Sequence, residues 1–424
     1  ICNMEDNKNR LLGYIVAWSI ALLIPLSGYA QWTKSYNSHI KSVQTILNDD
    51  WLLLPVMTLN SDDILTISFD AMSHSYSRYT YHITHCNANW EPSDIYESDY
   101  IDGFNDMPID DYENSINTTF EYTHYTFNLP NNDTSLKLSG NYLLEIIDED
   151  DNTVADIKFA IVEPIAKIGL SLSTNTDKDI NGKHQQISLS INHSALRVLD
   201  QTKEIIPVVL MNRNIETAVR DFKPTHRSNG KLEYTHCANL IFNAGNEYRR
   251  FEIIDMYDYT QNVDRIDFHN PYYHATLLTD YPHVTYRYDM DHNGRYLIRK
   301  HNAYNNDIEA DYLFVHFVLS MNKQHEGEVY LRGDFSGNAI SEEWKMVYDN
   351  NLKAYTITAL LKQGAYDYQY VLTSNSNNSL TAKTEGDCYE TKNEYSVLVY
   401  FREVGSRYAA PWYGQFLRNP KRQH

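Results

Sequence analysis

Short runs in which apolar or aromatic residues alternate with polar ones recur along most of the chain. Examples are Ile64 to Phe69, Tyr142 to Ile147, Ile157 to Val162, Ile187 to Ile191, Leu313 to Leu319, Ala354 to Leu360, Tyr366 to Leu372 and Tyr395 to Phe401. Successive side chains on a strand point to opposite faces, so a period of two marks a strand with one buried face. The runs are rich in Tyr, Thr, Val, Ile and Phe, which suit a pleated, half-buried surface. Turn clusters separate them, at Asn131-Asn132-Asp133, Asn229-Gly230, Asp349-Asn350-Asn351 and 374–379. No amphipathic helical run of any length stands out. The pattern predicts an all-β chain of several consecutive immunoglobulin-like β-sandwich domains.

Breaks in the pattern predict where these domains meet. Glu163-Pro164 ends a first sandwich, 31–163, because proline cannot donate to a strand ladder. The polar, turn-rich HNAYNND, 301–307, ends a second β domain, 164–306. Residues 307–424 form a third sandwich with a C-terminal tail. One connection breaks the rhythm. After the strand Tyr79 to Ile83 comes a long acidic segment with turn residues Asn87, Asn89, Pro92, Gly103 and Pro108, before the strand pattern resumes at Thr118 to Phe127. Structureless connections of that length are more often functional than decorative.

Residues 1–30 read as a leader outside the fold. Lys8 and Arg10 precede an apolar run from Leu11 to Leu26, and Gly28-Tyr29-Ala30 is a small-x-small cleavage site. The run contains Pro25 and is short of the roughly 20 apolar residues of a membrane span. No cysteine follows the cleavage site, so no lipid anchor is expected. The charges at Glu5, Asp6, Lys8 and Arg10 cancel, so removing the leader leaves the formal net charge at −20. That balance argues against nucleic acid and anionic membrane surfaces, which attract Lys/Arg patches.

Candidate chemistry is sparse. Cys86, Cys237 and Cys388 are far apart, and their spacing selects no disulfide and no zinc site. His82, His85 and Cys86 are close in sequence, but His82 and His85 fall on opposite faces of a strand. Asp289 to Gly294 has a DxDxNG shape, yet Lys300 stands where a calcium loop needs a glutamate, so a turn is expected there. The chain carries no GxSxG, HExxH, P-loop or GxGxxG motif. No catalytic residue, cofactor, metal or small-molecule substrate is expected. Tyrosine is another matter: 35 tyrosines outnumber 14 phenylalanines and 6 tryptophans together. Most cover sandwich faces, but tyrosine is also enriched in protein–protein contacts. Trp90, Tyr96, Tyr100 and Phe104 in the long loop, and Tyr408, Trp412, Tyr413 and Phe416 in the tail, are therefore candidate partner-docking residues.

Several segments carry a resemblance. HCNANW from His85, NTTFEYTHY from Asn117, LSGNY at Leu138–Tyr142, the set Gly245, Asn246, Glu247, Tyr248, Arg249 and Phe251, and Glu385, Gly386, Tyr389, Glu390, Thr391, Asn393, Glu394 and Tyr395 occur in one order. Together they resemble the plug proteins of the Bacteroidetes type IX secretion system. The resemblance implies a non-enzymatic periplasmic protein that docks on a very large outer-membrane β-barrel translocon and blocks its pore when idle. A second resemblance covers Val329 to Phe335, Trp344 and Leu361 to Val371. This stretch looks like the early-set domains of glycogen- and starch-active proteins. It leaves open an alternative, a glycan-binding protein using the last domain, although fold alone does not carry function.

Overall fold

The computed structural model describes residues 31–418, apart from 259, 325–326, 375–380, 404 and 407–409. The expected leader and Tyr408 lie outside the described residues. The described residues form one compact unit built from strands.

Two sheets make the first sandwich. One runs Thr33–Ser35, Thr153–Val162, Gly140–Ile147, Thr80–Cys86, Met107–Pro108; the other runs Ile40–Leu47, Leu65–Ala71, Thr123–Leu129, Tyr112–Asn114. The predicted alternation is realised in the buried positions. Leu65, Ile67 and Phe69 from one sheet meet Tyr81, Ile83, Tyr142 and Leu144 from the other. The long connection does not stay a bare loop. It folds into the short helix Glu97–Tyr100 and the strand Ile101–Gly103, which pairs with Thr134–Leu136.

In the second sandwich, Lys167–Ser173, His184–Asn192, Lys231–Tyr234 and His226–Ser228 form one sheet. The opposing sheet is Ile205–Met211, Glu394–Phe401 and Ala410–Arg418. Glu394–Phe401 lies antiparallel to Ile205–Met211, with Leu398 opposite Val208. The third sandwich is therefore inserted into the second. Its sheets are Arg249–Ile253, Gly364–Ser374 and Tyr296–Ile298, with Gly327–Arg332 alongside, against Val263–His269, Tyr272–Leu277, Tyr312–Ser320, Ala354–Lys362 and Val347–Asp349.

This nesting corrects the expectation of consecutive domains with a break near 306. The strands from Arg249 to Ile298 belong with those after 306, and the last strands belong with the second sandwich. The polar stretch read as a linker is a cap inside the third sandwich: Asn305 accepts from the Asp307 amide, 3.0 Å, and starts the helix Asn306–Glu309. Nor is 410–418 a tail, since it pairs with Glu394–Phe401 along its length.

The strand Glu394–Phe401 is buried on both faces. Tyr395, Val397 and Val399 enter the second core with Ile187, Leu189 and Val209. Leu398 and Tyr400 point the other way, with Val208 and Leu210, onto Trp32, Leu54, Trp90 and Val162 of the first sandwich. Polar bonds fix that seam: Trp32 Nε1 donates to the Arg213 carbonyl, 2.6 Å, and the Tyr400 hydroxyl to Asn141 Oδ1, 2.9 Å.

First and third sandwiches meet around a buried carboxylate. Asp70 pairs with Lys362 Nζ at 2.6 Å and His124 Nδ1 at 2.7 Å, and accepts from the Tyr312 hydroxyl at 2.7 Å. Burial alone would raise the Asp70 pKa, but the Lys362 ammonium and His124 ring outweigh it and hold the group below its usual value. Nearby, the Thr119 and Phe120 amides donate to Asp311, and the Phe120 ring stacks on Tyr272 at 3.9 Å.

Two stability predictions follow from this packing. Leu398→Ala, on the outward side of its own sandwich, should cost about 2–5 kcal/mol, as a core truncation does. Ser171→Ala, on an exposed strand position, should stay within about 0.5 kcal/mol. Urea unfolding of the two variants measures the contrast. Lys362→Met should cost about 3–5 kcal/mol at neutral pH because it strands a buried carboxylate. The loss should shrink on acidification below about pH 4, since a carboxylate held low by its partners contributes stability that is full above its unfolded value of about 4 and is lost as pH falls from there towards the folded value. Unfolding curves of wild type and variant at about pH 7 and about pH 3 give the comparison.

Candidate docking surfaces

The long first-domain connection divides its aromatics. Trp90 is buried, not displayed: it closes the turn Asn87–Glu91, meets Trp32 edge-on at 5.8 Å and lies under the Lys158 ammonium. Tyr100 is buried as well, its hydroxyl donating to the Ile83 carbonyl, 3.2 Å. Both docking expectations are thus corrected. The connection folds back on its own sandwich and spends these two rings on packing. Tyr96 and Phe104 do face solvent, 73% and 68% exposed. Asn105 bonds to Glu97 at 3.2 Å, which ties the two ends of this short excursion together. Trp412, Tyr413 and Phe416 sit on the strand Ala410–Arg418, and their side chains lie outside the described residues.

Other flagged positions have structural partners. His82 bonds Asp106 at 2.7 Å, while His85, on the opposite face, bonds Ser93 and the Ser139 carbonyl. Cys86, Cys237 and Cys388 are free and buried, and burial pushes the Cys86 thiol up to about 12. Asn293 and Gly294 take positive φ, 56° and 92°, in the turn before Tyr296–Ile298. Asp291 accepts there from the Tyr248 amide; burial and the neighbouring Asp367 push its pKa well above the usual value. Trp344 is half-buried and meets Phe335 edge-on at 5.3 Å, beside a cleft of about 410 Å3. Those two rings do not form the flat, coplanar platform that a sugar face would need.

The surface that the sequence pattern missed lies in residues 278–290. They have almost no regular structure, yet their backbone is tied down throughout. Arg249 is the anchor. Its guanidinium holds Glu385 at 3.1 Å and Asp280 at 2.8 Å, and donates to the Tyr281 carbonyl at 2.8 Å. Asn246 donates to the Thr285 carbonyl and accepts from the Arg287 amide. The His283 amide donates to the Thr384 carbonyl, 2.8 Å, and Arg250 to the Met290 carbonyl, 2.9 Å. Gly386, at φ 78°, lets the chain pass beneath; a Cβ there would lie 2.8 Å from the His283 oxygen. The side chains not used for anchoring face outward. Tyr281, Val284, Tyr288 and Met290 are 62%, 72%, 60% and 65% exposed. Density in Tyr, Asp and His is the only trace of this in the sequence; it has no period to read.

The anchors come from two short segments that cross between the second and third sandwiches. Gly245 donates to Asp387, 2.9 Å, and accepts from the Cys388 amide, 2.8 Å. Asn393 donates to the Ala244 carbonyl, 2.7 Å, and Arg295 pairs with Glu394 at 3.0 Å. Residues 245–249 and 385–394 are thus a cross-stitched pair.

Residues 40–163 match the family described as type 9 secretion system plug protein 1st domain. The chain belongs to the type IX secretion system plug family. A crystal structure of a hypothetical protein from Parabacteroides merdae superposes with a TM-score of 0.90. It is 38% identical, and the match covers 92% of this chain and 99% of that one. No curated protein matches the chain. Membership associates the protein with the secretion machinery of the cell envelope. In the structure, two of the segments behind the resemblance have a physical role: Gly245 to Arg249 and Glu385 to Glu394 stitch the inserted sandwich in place.

The anchored segment should be sensitive to acid. His283 Nε2 lies 3.0 Å from Arg249 Nη1 and 2.8 Å from Arg287 Nη1, so it accepts as a neutral ring. Burial, then Arg249 and Arg287, push its pKa from 6.5 down to about 4. The unfolded chain takes up this proton first, so stability falls as pH drops from about 6.5 towards 4. His283→Gln should flatten the slope of unfolding free energy between pH 6.5 and pH 5. An unchanged slope in denaturant melts across that range would remove His283 as its source.

Proposed function

We propose that this plug-family protein is a periplasmic, non-enzymatic stopper. It docks on the inner mouth of the very large outer-membrane barrel of the type IX system and blocks solute leak while the pore is idle. Release follows when a cargo-carrying component occupies the pore. The observation that best supports this is the interlocking of the three sandwiches. The third is inserted into the second, and the first is held to both through the two-faced strand Glu394–Phe401 and the buried Asp70–Lys362 pair. A steric stopper must keep its shape under load, and seams with buried charges separate only at the cost of unpaired ions. The leader expected in residues 1–30 supports export to the periplasm. Tyr96 and Phe104 are docking residues on the first sandwich in this reading.

Cells lacking the protein should leak normally excluded solutes only when the translocon barrel is also present. Tyr96→Ser with Phe104→Ser should reproduce part of that leak while moving stability by only about 0.5 kcal/mol, as exposed substitutions do. Dye-uptake measurements in the deletion, the double variant and a strain lacking both proteins test this. No leak in the deletion strain would dispose of the stopper; a leak in the deletion but not in the variant would discard only these two residues.

A further inference from the structure

We infer that residues 281–290 form a second docking element, on the third sandwich, for an apolar partner surface rimmed by carboxylates. The inference rests on the stopper reading, in which that partner surface belongs to the barrel mouth.

The argument starts from the backbone. An unanchored surface segment with Tyr, Val, Tyr and Met side chains can fold them inward and shield them from water. This one cannot. Carbonyls of Tyr281, Thr285 and Met290 are held by Arg249, Asn246 and Arg250, and the amides of His283 and Arg287 by the Thr384 carbonyl and Asn246. Inward-facing Asp280, His283 and Tyr286 are already engaged, Tyr286 through its hydroxyl to Glu247 at 2.8 Å. The exposed rings and aliphatic groups therefore stay in water until something covers them. Covering apolar area is favourable, and a fixed backbone lowers the ordering cost of binding. Tyr and Met are also among the residue types enriched in interface cores.

Charge narrows the occupant. The Lys392 ammonium sits 4.3 Å from the Tyr288 ring centre, and Arg287, the exposed sequence neighbour of Tyr288, adds a second positive charge while bonding the neutral His283 ring. Asp289 is engaged by Arg250 at 3.5 Å, and exposed Glu390 offsets part of the positive charge. Cations at an aromatic patch stand out in a chain of formal net charge −20. They complement carboxylates, and they would repel a basic surface. A wide pore mouth also calls for contacts on more than one domain. Tyr96 and Phe104 belong to the first sandwich, and this element belongs to the third.

The test is capture of the barrel from detergent-solubilised outer membranes by the purified full chain, with the captured barrel identified by mass. Three variants are compared with wild type: Tyr281→Ser/Val284→Ser/Tyr288→Ser/Met290→Ser, the single Tyr288→Ser, and Arg287→Glu/Lys392→Glu. Unfolding midpoints of all are measured. The inference expects at least a tenfold loss of captured barrel in the quadruple variant, with an unchanged midpoint. It expects a smaller loss for Tyr288→Ser, which serves if the quadruple variant does not fold. It expects a loss for the charge-reversed pair, together with weaker wild-type capture at high salt. Capture by the variants equal to wild type would overturn the inference and leave the stopper reading standing. Wild type that captures no barrel would overturn both. If barrel capture is unaffected but binding to anionic vesicles, or self-association, is lost in the variants, the patch serves a lipid surface or a second copy, and the inference is wrong.

Discussion

The arrangement depends on one strand having no solvent face. In an antiparallel sandwich, a strand commonly gives one face to the core and one to water. Glu394–Phe401 and its neighbour Ile205–Met211 instead form a middle layer, with the second core on one side and Trp32, Leu54 and Trp90 of the first sandwich on the other. Because the chain lays down Ile205–Met211 before the third sandwich and Glu394–Phe401 only after it, the inserted domain has both ends clamped. Ala244, Gly245 and Arg249 on the way out meet Asn393, Cys388 and Glu385 on the way back.

Charged groups at these seams act as locators more than as sources of stability. Arg295–Glu394, Arg249–Glu385 and Asp70–Lys362 are each nearly free of solvent. Burying such pairs costs desolvation that their attraction roughly repays, whereas separating them leaves lone charges in a dry setting. The sandwiches therefore have one well-defined mutual geometry. Rigidity of this kind suits a protein whose proposed work is to fill a space, and it fixes where Tyr96, Phe104 and the 281–290 element point.

Much of the secondary structure was legible because alternation is a local property. Leu65–Ala71 and Tyr312–Ser320 could be placed from Ile64 to Phe69 and from Leu313 to Leu319, since each strand shows its buried face through its own side chains. Exposure of loop aromatics was only partly legible. Tyr96 and Trp90 look alike as ring-bearing residues in an acidic connection, and what separates them is whether Trp32, brought in from another strand, lies alongside. The anchored element at 281–290 was illegible for a related reason. Its order comes from Arg249, Asn246 and Thr384, none of them near it in sequence.

The sequence by itself determined the all-β class, most of the strands and the family, because period-two burial and an ordered set of motif residues are written along the chain. It also showed, in Gly245 to Arg249 and Glu385 to Glu394, which segments matter, without saying for what. Only the tertiary structure decided that the third sandwich is nested in the second, and that the final strands close an earlier domain. It also decided which aromatics stay exposed. Those outcomes turn on pairings between strands far apart in the chain and on which face is covered twice, and a local pattern of polar and apolar residues holds no record of either.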